Sequence, residues 1–271
     1  MFVLISLIFS CAILAALFHY SKKRQTILQR KFETLVLLRQ LLGLCREHRQ
    51  LTHRALSDSV NDQQLKTINT LYEELVRCSD HLVSIAPFDN RPMYRIFQLK
   101  LKAMHNDWHE HNISRNQIVH GKTIRHCMFL MDEIAIAWLI ESEREDLNDE
   151  YHLNWQQVLD SMEVLTQLRI CIPESRSTDG FLRLKFYCDK TRRKLNQLSL
   201  ISPLSIASPN SIDAIHQLTE LSSAESLTLE DEELYLITSD ISAVIAQVYD
   251  QMLSDMSESL YLPLPKISYA Y

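Results

Sequence analysis

Two arginines, Arg49 and Arg169, occupy positions where the helical pattern of the sequence predicts an apolar residue. In a packed helix, residues seven apart fall on one line and face the partner helices. The first such line reads Leu28, Leu35, Leu42, Arg49 and Leu56. The second reads Trp155, Met162 and Arg169. Because a guanidinium group stays charged at ordinary pH, each arginine needs a negative or acceptor-rich partner in the core.

A small planar anion is one partner that would satisfy both arginines. The guanidinium group is flat and presents paired donors, which suits trigonal oxyanions. Arg46 lies three residues before Arg49 and His53 four residues after it, so all three fall on one helical surface. We therefore predict Arg46, Arg49, His53 and Arg169 as ligand-binding residues.

Two other arrangements would also accommodate these arginines. In the first, carboxylates on neighbouring helical segments pair with them, and the candidates are Asp132, Glu133, Asp160 and Glu163. In the second, the side chains extend along the helix surface and place their charges in water. Either arrangement would describe a ligand-free structural or adaptor protein.

Histidines suggest a different chemistry, the binding of a transition metal. His105 and His109 have the spacing that places two imidazoles on one helix face, and the other candidates are His111, His120 and His126. The motif His-Glu-x-x-His is absent, so we expect no metal site and keep a histidine-rich metal-binding bundle as a second alternative. We also expect no catalytic residues and no cofactor, because no Gly-x-Ser-x-Gly elbow occurs. The protein is not expected to be an enzyme.

The composition favours helices as the elements that position these residues. Only three glycines occur in 271 residues, which excludes glycine-rich phosphate loops and disfavours a sheet protein with many tight turns. Hydrophobic residues make up 46% of the chain, and the six cysteines are scattered singly, as free thiols are. The net charge of −6 gives no basic surface for nucleic acid. The expected fold is all-α.

The first twenty residues are expected to form a transmembrane anchor. Phe2 to Phe18 is apolar except for two serines, and about seventeen helical residues approach the thickness of the hydrocarbon core. The positive residues Lys22, Lys23 and Arg24 follow this segment rather than precede it. That order predicts an uncleaved, single-pass anchor in the inner (cytoplasmic) membrane, with the rest of the chain in the cytoplasm.

Behind the anchor we expect two packed up-down bundles of four-helix type. The first covers 21–145, and the second, with the C-terminal helices, covers 146–271. The polar stretch Glu145 to Glu150 is expected to be the linker between them.

The run Arg46-Glu47-His48-Arg49-Gln50-Leu51-Thr52 resembles the first-helix motif of the nitrate- and nitrite-sensing (NIT) domain. His48 and Gln50 depart from that motif, in which glutamate and glycine are usual. The resemblance implies an all-α pair of bundles that binds nitrate or nitrite through arginines, with Arg169 in the second bundle. No output module is recognisable after residue 200, so a sensor would signal through an unidentified protein partner, and a homodimer is compatible with the sequence.

Overall fold

The computed structural model describes residues 2–57 and 61–265, and this part of the chain is all-α without strands. Its α-helices, in chain order, are α1 (Phe2–Ser57), α2 (Asp62–Ile85), α3 (Arg91–Asn106), α4 (Ile113–Glu141), α5 (Glu145–Cys171), α6 (Thr178–Leu198), α7 (Pro203–Ile206), α8 (Pro209–Ser223) and α9 (Asp231–Leu260). Three short 3₁₀ turns lie at Phe88–Asn90, Trp108–Glu110 and Ile172–Glu174. The expectation of an all-α protein is confirmed.

Helix α1 is a continuous helix of 56 residues, about 84 Å long at ~1.5 Å per residue. Side chains from Ser6 to Ile27 are exposed on every face, and packing against other helices begins near Leu28. Among the described residues, no helix combines the length and the hydrophobicity that a membrane crossing requires. The structure therefore does not support the predicted anchor, of which Met1 lies outside the described residues.

Helices α1 to α4 pack together as the first bundle. Helix α2 begins at a capping box, in which the Asn61 side chain accepts from the backbone N–H of Gln64 and the Gln64 side chain accepts in return. Phe97, Met131 and Trp138 are among the fully buried side chains between these helices. Leu35 and Leu42 of the first predicted apolar line are buried as well, so that line does face a core.

Helices α5, α6, α8 and α9 pack together as the second group, with the short α7 beside them. Half of the residues of helix α9 are buried, and Ile241, Val248 and Leu253 have no exposed area. Helix α9 also contacts α4, and the buried apolar residues of both groups form one continuous cluster. The two groups therefore share a core in which polar side chains can meet.

The expected linker at Glu145 to Glu150 is wrong, because these residues form the first turns of α5. The chain reverses at Ser142–Arg144 instead, where Glu143 has a φ of 55°. Acidic residues in a first turn interact favourably with the helix dipole, so a charged stretch is as typical of a helix start as of a loop. All six cysteines are free thiols, and five of them are buried.

Candidate anion-binding site

Three helices bring the candidate site together: α1 from the first bundle, and α5 and α9 from the second. Helices α1 and α9 run antiparallel, since Arg39 of α1 contacts Asp250 while His53 contacts Glu232. Each helix presents polar residues with the same spacing of three and then four. On α1 they are Arg46, Arg49 and His53, and on α9 they are Tyr235, Thr238 and Ser242. This spacing places each set on one face.

Arg49 is buried between these faces, with 5% of its surface exposed. Its Nη2 donates a long hydrogen bond of 3.3 Å to Ser242 Oγ. Within the described ranges, no carboxylate oxygen lies within 4.0 Å of its guanidinium nitrogens. Arg49 is therefore a buried charge with a neutral partner.

Arg169 reaches the same face of α9 from α5 and is 7% exposed. Its Nε donates to Thr238 Oγ1 at 3.0 Å, and its Nη2 donates to the Thr238 carbonyl oxygen at 2.8 Å. The Thr238 hydroxyl in turn donates to the carbonyl oxygen of Tyr235 at 2.8 Å. These contacts position Arg169 well, but they supply no negative charge.

The positive charges of this site lie close enough to affect one another. Burial first, and then the charges of Arg169 and Arg46, lower the pKa of Arg49 well below its ordinary value. Burial, together with the charge of Arg46, lowers the pKa of Arg169 to about 9, which leaves it charged at neutral pH. The core therefore holds several cations in a medium where their charge is costly.

Three of the four acidic residues considered as internal partners lie beside other groups. Asp160 pairs with Lys194 at 3.0 Å, and Glu163 pairs with Arg125. Asp132 is half-buried beside Tyr151, and burial raises its pKa to about 6. Pairing of Arg49 or Arg169 with these carboxylates is thus not what the structure shows. The burial of both arginines also excludes the arrangement in which they extend to water.

His53 closes the site beside α9, where its ring packs against Tyr235 with the ring centroids 4.6 Å apart. Its Nε2 lies 3.3 Å from Glu232 Oε2, at the half-exposed rim of the site. Burial lowers the pKa of His53, and the Glu232 carboxylate opposes that shift. All four predicted residues, Arg46 included, are therefore brought into one neighbourhood.

A narrow crevice leads from the surface toward Arg169, between α4 and α5. Its free volume is about 10 Å³, room for about one water molecule. The crevice is lined by Ser114, Gln117, Ile118, Gly121, Thr166, Arg169 and Ile170. A Cβ atom added at Gly121 would meet no atom within 4 Å, so there is open space on this side of the crevice. An anion larger than water would require a small separation of the helices.

The histidines form a different arrangement from the one considered in the sequence. His105 and His120 do not join His109 but contact His48 of α1, one on each ring nitrogen. His109 is exposed, and His126 packs edge-on against Phe97. A metal ion needs ligand nitrogens that converge on one point, whereas His48 directs its two nitrogens in opposite directions. Across residues 2–57 and 61–265, no group of three or more metal-ligating side chains is arranged to hold a metal ion.

Comparisons of the chain with protein-family models, with characterised proteins and with solved structures give no match. Resemblance to the NIT domain therefore rests on the short motif around Arg49 and on the arginine-bearing helix that contains Arg169.

The sequence interpretation missed the residues of α9 that hold the arginines. Thr238 and Ser242 are polar positions among the mostly apolar buried residues of α9, between Leu234 and Ile245. Polar residues at buried positions of α9 resemble the arginines at apolar positions of α1 and α5, and this pattern could have identified them from the sequence. It also missed His48, which it treated only as a departure from a motif.

Proposed function

We propose that the protein is a helical sensor that binds a small planar oxyanion, nitrate or nitrite, between its two bundles. The observation that carries the proposal is the pair Arg49 and Arg169, both buried and, within residues 2–57 and 61–265, both hydrogen-bonded to neutral groups of α9. Arg46 and His53 lie at the edge of this pair and complete the ligand-binding set.

The chemistry of the site supports an anion more than any other ligand. Donors prevail there, because guanidinium groups carry no acceptor. One negative charge would offset the repulsion among the arginines and bring charge-assisted hydrogen bonds in place of the long contact between Arg49 and Ser242. Chloride, a sphere, would not use the paired donors as a trigonal oxyanion does.

Signalling follows from the position of the site between α1, α5 and α9. A ligand can shift an equilibrium only by binding one arrangement better than another. An anion held by arginines from both bundles favours the arrangement in which Arg49 and Arg169 both reach it. The signal then passes through the relative position of the bundles to a protein partner.

Attachment to a membrane is the second part of the proposal. The side chains of residues 6–20 are exposed on every face, including Phe9, Leu14 and Phe18 at 67%, 65% and 71%. Lys22, Lys23 and Arg24 follow directly and suit an anionic lipid surface. We propose that this end of α1 enters the inner membrane and leaves the bundles in the cytoplasm. Sedimentation with membranes after alkaline carbonate extraction tests it, and release into the supernatant would contradict it.

Calorimetric titration of the purified full chain with nitrate, nitrite and chloride tests ligand binding. Heat is expected with the two oxyanions and not with chloride. Arg49→Leu and Arg169→Leu should each abolish it, whereas Arg144→Leu should not, because Arg144 is a surface residue paired with Asp146. Equal heats from the wild type and both core variants would end the proposal and favour the ligand-free adaptor protein.

A further inference from the structure

Three hydrogen-bonded histidines form a chain across the first bundle, one each from α3, α1 and α4. His105 Nδ1 lies 3.1 Å from His48 Nε2, and His48 Nδ1 lies 2.8 Å from His120 Nε2. His120 Nδ1 lies 2.8 Å from the carbonyl oxygen of Asn116. His48 and His120 have no exposed surface, while His105 is part-exposed. The chain therefore connects the protein surface with the buried region beside Arg49.

The carbonyl oxygen of Asn116 fixes the direction of this chain. A carbonyl oxygen only accepts, so His120 Nδ1 carries a proton, and in the neutral ring its Nε2 then accepts from His48 Nδ1. His48 Nε2 must then accept from His105 Nδ1. Each ring is thus a neutral imidazole of known tautomer, and His105 Nε2 is left as the acceptor at the surface end.

The surroundings of the chain keep it neutral. Burial lowers the pKa of His48 to about 3, with His105 adding to the effect, and lowers that of His120 well below its ordinary value. No carboxylate within the described residues lies within 4.0 Å of the three rings. The titratable and charged groups that do face them are Tyr72 of α2, stacked on His105 with centroids 3.7 Å apart, His109 and His111 after α3, and Arg49 of α1.

We propose that anion binding at Arg49 and Arg169 is coupled to the uptake of one proton by this histidine chain. The inference rests on the proposed function and adds its regulation. A proton from water binds His105 Nε2, the proton on His105 Nδ1 passes to His48 Nε2, and the proton on His48 Nδ1 passes to His120 Nε2. One proton enters, His120 becomes a cation, and the other two rings remain neutral as their other tautomers.

Arg49 couples this chain to the anion. The charge of Arg49 disfavours a proton on His120 when the site is empty. A bound anion offsets that charge and so raises the proton affinity of His120. Coupling is reciprocal, so a proton on the chain must raise the affinity for the anion by the same factor. Anion affinity is therefore expected to increase as the pH falls, whereas nitrate itself stays ionised throughout.

Calorimetry of the full chain with nitrate tests the coupling. Titrations from pH 5 to pH 8, in two buffers with different ionisation enthalpies, give both the affinity and the number of protons taken up. We expect proton uptake at the acidic end. Between the pKa of the histidine chain without a bound anion and its pKa with one, we expect the affinity for nitrate to rise up to about tenfold for each unit by which the pH falls.

Substitutions test whether the three-histidine chain is the group that takes up the proton. His105→Gln and His48→Gln should abolish the uptake while binding nitrate at pH 8 as the wild type does, and His105→Gln suffices if the buried variant does not fold. His109→Gln is the matched control, since it removes an exposed neighbouring histidine that is outside the chain. If uptake is lost only in His53→Gln, the proton belongs to the His53–Glu232 pair and the inference is wrong.

Two further outcomes separate this inference from the proposed function. Nitrate binding without proton uptake at any pH overturns the coupling and leaves the anion site standing. No heat with nitrate at any pH overturns the proposed function, and the coupling falls with it.

Discussion

Replacing Arg49 with leucine should stabilise the empty protein while making it insensitive to nitrate. Arg49 is 5% exposed, and the one hydrogen bond that the described structure shows for its side chain, to Ser242, is 3.3 Å long. Desolvation of a charged group costs several kcal/mol in real proteins. The lost charged hydrogen bond is worth about 1.5–3 kcal/mol, and a buried leucine contributes roughly 1.5–3 kcal/mol. These terms leave a net stabilisation of ~1–4 kcal/mol.

Thermal unfolding in buffers free of nitrate and nitrite measures this change. A gain of ~2 kcal/mol corresponds to a melting temperature higher by roughly 4–8 °C for a chain of this size. Nitrate at about a hundredfold excess over the dissociation constant should then stabilise the wild type by ~2.7 kcal/mol and Arg49→Leu not at all. Nitrate thus removes or reverses the difference between the two proteins.

Arg169→Leu is the internal comparison. Arg169 makes two hydrogen bonds of ordinary length to Thr238, so its replacement should remove more hydrogen-bond energy than the replacement of Arg49. We expect it to be close to neutral in stability and equally insensitive to nitrate. If Arg49→Leu instead lowers the unfolding free energy by ~3 kcal/mol or more in nitrate-free buffer, Arg49 has a structural partner inside the protein. The reasoning from an uncompensated buried charge would then be refuted.

Three more predictions concern the frame around the site. Gly180→Ala should lower the unfolding free energy, measured by thermal unfolding, by several kcal/mol, because the added Cβ would lie 1.8 Å from the carbonyl oxygen of Glu174. Gly43→Ala, with open space around the added Cβ, should raise the unfolding free energy by ~0.5–1 kcal/mol. Arg39→Met should lower the unfolding free energy, measured in urea, by ~3–5 kcal/mol, because it removes the guanidinium that binds both Asp250 carboxylate oxygens at 2.6 Å. Adding Asp250→Leu should recover most of this lost stability. The unfolding free energy should fall as the pH drops from about 6.5 toward 3, because folding lowers the pKa of His48 to about 3 and the unfolded chain therefore binds more protons in that pH range. His48→Gln should reduce this dependence of the unfolding free energy on pH. An unchanged pH dependence in the variant would contradict the prediction.

The helices were predictable because their signal is local. Apolar residues recur with helical spacing, and glycine, which interrupts helices, is almost absent from the chain. The start of α5 was not predictable in the same way. Glu145 to Glu150 has the composition of a loop and of an exposed first helical turn alike, and only the position of the reversal at Ser142–Arg144 decides between them.

The arginines of the site were predictable for the same reason, since a charge that interrupts an apolar line is visible within one helix. Their partners were not. Arg49 and Ser242 are separated by 193 residues, and no local pattern states that α9 packs against α1. The histidine chain likewise joins residues 57 and 72 positions apart, so helical spacing relates neither pair. Local periodicity identifies a face, and the tertiary fold decides what that face meets.

The middle of α1 is where stability and function are in conflict. His48, Arg49, Thr52 and His53 are all buried in about one and a half turns of a helix whose buried residues before them are mostly leucines. A scaffold would be more stable with leucine at these places, because buried polar groups cost free energy that their hydrogen bonds only partly return. These buried polar groups also form one hydrogen-bonded network, because Asn116 donates to the Thr52 hydroxyl and its backbone carbonyl accepts from His120. A connected polar network that breaks the local apolar pattern is typical of a functional site. This is why the empty protein should gain stability, and lose its response, when Arg49 becomes leucine.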